Sequence, residues 1–193
     1  MAGSLLIDTD ALIAVGNTDC WEAVFHEVGL TTTYVVKGEL ERHIKEGKNS
    51  PEGSPDWYRY NGSRRAIEGV DSGSISLINT VPKPHGKDAG EESLRTQVAQ
   101  EGDRYDAVFL MDREGRECIR KTADSNGYDV KIPSPAFPLY IAYDNGLLSK
   151  KEFCEVNQEI IENEGWTGYR AVKVMWEGIP VDCSAYVEPD YLP

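Results

Sequence analysis

Apolar residues in this chain occur in short continuous runs that end abruptly at acidic residues. The run at residues 5–7 is followed by Asp8 and Asp10, and the run at 107–111 is followed by Asp112. A continuous apolar run is typical of a strand that is buried on both faces of a parallel sheet. We therefore expect two buried strands whose carboxyl ends bring these acids to one sheet edge, where open α/β sheets place their ligand sites.

Helical and extended patterns alternate through most of the chain. Apolar spacing typical of helices occurs at residues 21–28, 36–44, 88–99 and 113–121, and strand-like runs occur at 30–33, 74–78 and 129–132. Such alternation is typical of βαβ units, in which crossover helices join parallel strands. The pattern predicts an α/β domain with a mainly parallel sheet and helices on both faces.

The C-terminal third is predicted to be helical at first and irregular at its end. Helices are expected at residues 136–143 and 149–161, and the second begins with the spacing of a capping box. The apolar pattern then fades, so the tail beyond Pro180 is predicted to be an extended arm or disordered. We therefore expect one domain at 1–165 and an extension at 166–193.

Residues 47–65 are rich in Gly, Pro, Asn and Ser, which predicts a loop. Within this stretch, aromatic and cationic side chains are interleaved at Trp57, Arg59, Arg64 and Arg65. Such residues can stack on bases and contact phosphates. Packing of a long loop on the domain explains them slightly better, so an RNA-binding role is one of two interpretations.

The composition indicates a globular chain. Its 193 residues, 40% of them hydrophobic, suit one domain with a full core or one domain with a small appendage. No apolar run approaches the roughly 18–20 residues that a membrane span requires, and no secretory signal is recognisable at the N-terminus. We expect a cytoplasmic protein without membrane contact.

Four cysteines, Cys20, Cys118, Cys154 and Cys183, are scattered along the chain. None forms a C-x-x-C pair, so neither a zinc site nor a redox motif is indicated. They are predicted to be buried or surface thiols.

The net charge of −13 speaks against simple electrostatic capture of nucleic acid. Nucleic-acid chemistry would need a local basic patch, or a metal that bridges the acids to phosphate. Adaptation to high salt would also account for the acidity, but the ten lysines are a weak fit to it.

Carboxylates gathered at one sheet edge are costly to desolvate without a counter-cation. Oxygen ligands favour Mg²⁺ or Mn²⁺. Taken singly, an Asp after a strand is more often a helix N-cap, so the metal hypothesis depends on the whole set.

Four segments resemble the motifs of the PIN domain family, over roughly residues 4–165. Residues 6–13 (LIDTDALI) resemble the first motif, and residues 35–40 (VVKGEL) resemble the second. Residues 90–94 (GEESL) resemble the start of the third helix in one branch, and residues 110–116 (LMDREGR) resemble the fourth motif, except that Met111 replaces an aspartate.

The resemblance implies a Rossmann-like three-layer α/β/α sandwich and a Mg²⁺- or Mn²⁺-dependent endoribonuclease. Asp8 would be the central metal ligand, completed by Glu39, Asp112 and one acid of the third motif. Glu92 is preferred there, with Glu91 as the alternative. Asp10 would hold a water or orient a ligand.

The resemblance also implies an RNA substrate, and it is compatible with a toxin and its antitoxin partner, with RNA processing, or with a homodimer. Two alternatives remain. Asp8 and Asp10 also fit a phosphatase of the haloacid dehalogenase type, although Leu12 and the lack of a later lysine motif disfavour it. A PIN-like scaffold that binds without catalysis is the other.

Overall fold

The chain folds around a parallel sheet of four short strands. A computed structural model describes residues 4–86, 88–165 and 169–193. The strands are β1 (Ser4–Ile7), β2 (Leu30–Thr33), β3 (Ser76–Ile78) and β4 (Tyr105–Phe109), in the order β3-β2-β1-β4. In the register of the sheet, Leu6 of β1 lies between Thr31 and Val108, so β1 is an inner strand.

Helices cover both faces of the sheet. They are α1 (Thr9–Gly16), α2 (Trp21–Glu27), α3 (Tyr34–Gly47), α4 (Pro55–Asp71), α5 (Ala89–Glu101), α6 (Arg113–Asn126), α7 (Phe137–Asp144), α8 (Lys150–Asn163) and α9 (Tyr169–Trp176). Successive strand residues point to opposite faces. Leu6 and Val108 accordingly pack with α5 and α6, whereas Ile7 and Phe109 pack with the other helices. The predicted three-layer α/β/α sandwich is confirmed.

The prediction of a loop at residues 47–65 is wrong for its second half, which begins α4. The Ser54 hydroxyl accepts a hydrogen bond from the Trp57 backbone N–H at 3.2 Å, and Pro55 occupies the first turn. Gly62 lies within α4 and not in a loop. Because it has no side chain, α4 can approach α1 closely at this position. A Cβ added to Gly16 of α1 would lie 2.6 Å from the Gly62 carbonyl oxygen.

The predicted strand at residues 129–132 forms only one parallel bridge, between Ala107 and Lys131. Two backbone hydrogen bonds flank it, from Val108 N to Lys131 O at 2.9 Å and from Lys131 N to Asp106 O at 3.1 Å. Pro133, which follows, cannot donate to a ladder, so the pairing ends there.

The tail beyond Pro180 has little regular structure, but the prediction of an extended arm or a disordered segment is wrong, because Cys183 and Val187 are buried against the domain. The preceding segment is also packed. Val172, Met175 and Trp176 are buried at helical spacing in α9, and Trp176 Nε1 donates to the Tyr191 carbonyl at 2.7 Å. The missed signal is this short i, i+3, i+4 pattern. A domain boundary at residue 165 stays a prediction, and it falls beside residues 166–168, which lie outside the described ranges.

Arg116 of α6 links the segment after α9 to the backbone at Pro133. Its guanidinium is buried and donates to the Pro133 carbonyl at 2.6 Å and to Glu177 Oε2 at 2.6 Å. Burial lowers the pKa of Arg116, and Glu177 opposes that shift. A buried cation needs such partners, so α6 and the segment after α9 depend on each other.

The prediction that all four cysteines are thiols is also wrong. Cys154 of α8 and Cys183 of the tail form a disulfide, with Cα atoms 5.5 Å apart. Cys20 and Cys118 are free. The pairing depends on the tail fold, which spacing alone does not show. Among the described residues, no helix is long and apolar enough to span a membrane.

Candidate active site

The strand ends meet at a pocket of about 830 Å³ on the carboxyl edge of the sheet. Five of the acids expected from the sequence line it: Asp8, Asp10, Glu39, Glu91 and Asp112. Asp8 follows β1 and Asp112 follows β4, and these strands are neighbours. Parallel pairing therefore brings together acids that are 104 positions apart, because both strands end at the same edge.

Asp8 is buried at the start of α1. Its Oδ1 accepts from the Ala11 backbone N–H at 2.8 Å, and its Oδ2 lies 3.4 Å from the Met111 nitrogen. Burial, followed by the neighbouring Asp10, raises the pKa of Asp8 well above its usual range. The residue is thus both the N-cap of a helix and a desolvated acid, whose charge a cation would relieve.

Asp112 and Glu91 meet across Gly115. Asp112 Oδ2 caps α6 by accepting from the Gly115 backbone N–H at 2.6 Å. The Glu91 carboxylate lies over the same glycine, where an added Cβ would be 2.5 Å from Glu91 Oε2. Burial, and then the charge of Asp112, raise the pKa of Glu91. Gly115 therefore provides the space that lets a second carboxylate approach Asp112.

Glu39 is held in place from two sides. Its Oε1 accepts from the Gly90 backbone N–H at 2.9 Å, and its Oε2 accepts from the Thr9 hydroxyl. The Glu39 carboxylate also occupies the position that a side chain at residue 90 would need. Glu39 thus joins α3 to α1 and α5, and it fixes the helices that carry Asp8 and Glu91.

Glu92, the acid preferred from the sequence, is not among the residues that line the pocket. Arg95 Nε donates to Glu92 Oε2 at 2.6 Å, and this interaction lowers the pKa of Glu92. Adjacent residues on a helix point about 100° apart, so only one of the two acids can face the pocket. The structure places Glu91 there.

The acids lie in the order and on the elements that the four motifs predict. A family model described as the Halobacterial PIN domain matches residues 2–193. The chain belongs to the PIN domain family. Searches of curated proteins and of solved structures gave no match.

Family membership confirms the predicted resemblance and extends it over the C-terminal segment. PIN domains are in general nucleases, so a nuclease-type function follows from the match. The match also favours this family over the haloacid dehalogenase alternative for Asp8 and Asp10.

Basic side chains surround the acids of this PIN domain, although the chain as a whole is strongly acidic. Those that line the pocket are Arg42, His43, Arg59, Lys83 and His85. Burial, followed by Arg42 and Arg59, lowers the pKa of His43. Sequence reasoning missed His43, yet a signal exists, because it lies four residues after Glu39 on α3 and so shares its side of the helix.

Asp10 lies between the acids and the cations of the PIN pocket. Burial raises the pKa of Asp10, while Arg59 and His43 oppose the rise. Its expected role, holding a water or orienting a ligand, stays a prediction.

The three arginines of the expected RNA-binding stretch differ in their surroundings. Arg59 lines the PIN pocket, whereas Arg64 lies 3.6 Å from Glu68 on the surface of α4. Arg65 donates to the Gly16 carbonyl at 2.8 Å, and its guanidinium lies 5.6 Å from the centre of the Trp21 ring. Arg65 therefore has a packing role, and Arg59 is the one that faces the acids.

Proposed function

We propose that this PIN domain is an endoribonuclease that depends on Mg²⁺ or Mn²⁺. The observation that carries the proposal is the placement of Asp8, Glu91 and Asp112 around one pocket, with two of the three pKa values raised. Clustered acids with raised pKa values are typical of functional sites. Their charges favour a bound cation.

The residues fit a partly hydrated ion better than a closed metal site. Among the residues that the structure describes, no three histidine, cysteine or acidic side chains are grouped so as to hold an ion. Mg²⁺ in nucleotide-processing sites usually keeps several waters, with one or two carboxylates and a substrate phosphate as ligands. Asp8 and Asp112 would hold such an ion, with Glu91 acting directly or through water. When bound, the ion would lower the pKa of a water and stabilise charge on the phosphate.

The other residues of the pocket would bind and position the substrate. Arg42, Arg59 and Lys83 supply the positive charge that an RNA backbone requires. Glu39 fixes the helices, and Asp10 would orient water at the boundary of the acids. Two further proposals come from the family resemblance. The protein would act as a toxin with an antitoxin partner, or it would form a homodimer.

Cleavage of an end-labelled RNA tests the proposal. We expect internal cleavage with Mn²⁺ or Mg²⁺, none in EDTA, and no hydrolysis of a small phosphomonoester. Hydrolysis of the phosphomonoester alone would favour a phosphatase. RNA binding without cleavage would favour a scaffold that has lost catalysis.

Replacing Glu91 with glutamine should reduce cleavage strongly, whereas Glu92→Gln should leave it near the native rate. Glu91 faces Asp112, and Glu92 forms only a surface pair with Arg95, worth about 0.5 kcal/mol. The second measurement is the rise in melting temperature of each variant on addition of Mn²⁺. An ion at a hundredfold excess over its Kd stabilises the folded chain by about 2.7 kcal/mol. A loss of both signals in Glu92→Gln alone would contradict this placement.

Arg59→Ala should weaken RNA binding and lower its salt dependence, and Arg64→Ala should do neither. Arg59 lines the pocket, while Arg64 interacts with Glu68. Loss of one phosphate contact reduces the slope of log K against log salt by about 0.7 for single-stranded RNA. Filter binding over a range of KCl measures the slope, and equal slopes for both variants would reject a role for Arg59.

A further inference from the structure

A second pocket, of about 700 Å³, adjoins the acidic pocket. Its walls come from α1, the start of α4 and the end of α8. Asp10 and Arg59 line both pockets, so a bound chain could pass from one to the other beside these two residues. The volume is within the range of small-molecule sites, which is about 300–1,000 Å³.

Aromatic side chains form one side of this second pocket. Trp57 and Tyr58, both half-buried, line it. The Tyr58 hydroxyl is buried, and it interacts with the Glu164 carboxylate. Burial, and then the nearby Glu164 carboxylate, raise the pKa of Tyr58. An aromatic surface beside a carboxylate suits a flat ligand with polar edges.

Several donors of the pocket are engaged within the protein. Its two glutamates interact with one side chain each, Glu159 with Asn163 and Glu164 with Tyr58, and so keep free acceptor positions. Asn17 Nδ2 donates to Ile13 and Tyr58 carbonyls, each at 2.9 Å, and Arg65 donates to backbone carbonyls. The carboxylates of Glu159 and Glu164 also line the space, and burial raises the pKa of both. A ligand that presents hydrogen-bond donors can therefore bind these carboxylates, and Arg59 can donate to an acceptor group such as phosphate.

We propose that the second pocket binds a guanine base of the RNA substrate; this rests on the proposed function. Guanine presents two adjacent donors, N1–H and the N2 amino group, which match the two oxygens of one carboxylate, and Glu164 is the one assigned here. Adenine and cytosine place an acceptor nitrogen beside their amino group, and uracil places its single N–H between two carbonyls. Trp57 would stack on the base, and Arg59 would face the adjoining phosphate.

The base preference can be measured without cleavage. Calorimetric titration of the full chain in EDTA with GMP, AMP, CMP and UMP should show GMP binding at least about tenfold more tightly than the others. Glu164→Gln should remove that preference, because an amide offers one acceptor where the carboxylate offers two. Glu155→Gln, which changes an exposed glutamate on the same helix, should retain it.

The outcomes separate this inference from the proposed function. Equal affinities for the four nucleotides, or an unchanged GMP preference in Glu164→Gln at an unchanged melting temperature, would overturn the guanine pocket. Metal-dependent RNA cleavage in the same preparation would leave the nuclease proposal standing. Tight GMP binding without cleavage under any metal would support the pocket and reject the nuclease. Loss of GMP quenching of tryptophan fluorescence in Trp57→Leu would confirm the stacking partner.

Discussion

Replacing Asp8 with asparagine is expected to lower RNA cleavage by about a thousandfold and to raise the melting temperature measured without metal. A metal ligand contributes several kcal/mol to transition-state stabilisation, and each 1.4 kcal/mol is about tenfold in rate. Asparagine caps a helix as well as aspartate does, so α1 keeps its N-terminal hydrogen bond. The stability gain follows from the raised pKa of Asp8, because the ionised form is disfavoured in the folded chain.

The pH dependence of the stability difference between Asp8→Asn and the native chain tests this explanation. The folded pKa of Asp8 lies above its reference value of 3.8, so its favourable contribution to stability is present in acid and is lost as pH rises. The difference in melting temperature between Asp8→Asn and the native chain should therefore be small near pH 4 and grow toward neutrality. Asp71→Asn, at an exposed carboxylate that pairs with Lys37, is the control and should show little change. A less stable Asp8→Asn variant at neutral pH would contradict the explanation.

Removing the disulfide between Cys154 and Cys183 is expected to lower the free energy of unfolding by about 3.5 kcal/mol. The bond spans a sequence separation of 29 residues, and closing a loop of that size gives this value in the chain-entropy model. For a domain of this size, the melting temperature should fall by about 7–14 °C. The melting temperature should fall in the double variant Cys154→Ala, Cys183→Ala. It should also fall for the native chain under reducing conditions.

The free cysteines supply the matched control. Cys20→Ala with Cys118→Ala removes two thiols without touching the bond, so its melting temperature should still fall on reduction. Titration of the unreduced, denatured native chain should find two thiols. Four thiols, or a melting temperature unaffected by reductant, would show that the bond does not form in solution.

The carboxyl halves of β1 and β4 were predictable because their residues are apolar on both faces. Leu6 and Ile7 face opposite layers and are both fully buried, so no polar residue interrupts the pattern. Asp8 and Asp112 were found because they stand directly after such runs. Both also cap helices, so each of them has the structural role of an N-cap as well as the proposed role of a metal ligand.

The choice between Glu91 and Glu92 could not be made from the sequence. It depends on the rotation of α5 and on the absence of a side chain at Gly115, which lies on another helix. The loop prediction for 47–65 depends on its content of Gly, Pro, Asn and Ser, and composition does not show that Pro55 begins α4 or that Gly62 allows close contact with α1. In both cases the outcome depends on contacts between residues that are far apart in the sequence, so local spacing cannot predict it.

Arg116 has a consequence for the order in which the protein is completed during synthesis. The residue lies on the helix that Asp112 caps, and it is buried against Glu177, which is translated 61 positions later. Until that segment emerges, the guanidinium lacks its carboxylate partner, and α6 lacks the support that this pair provides. In a nascent chain, the helix that Asp112 caps therefore gains this support only after Glu177 has been translated.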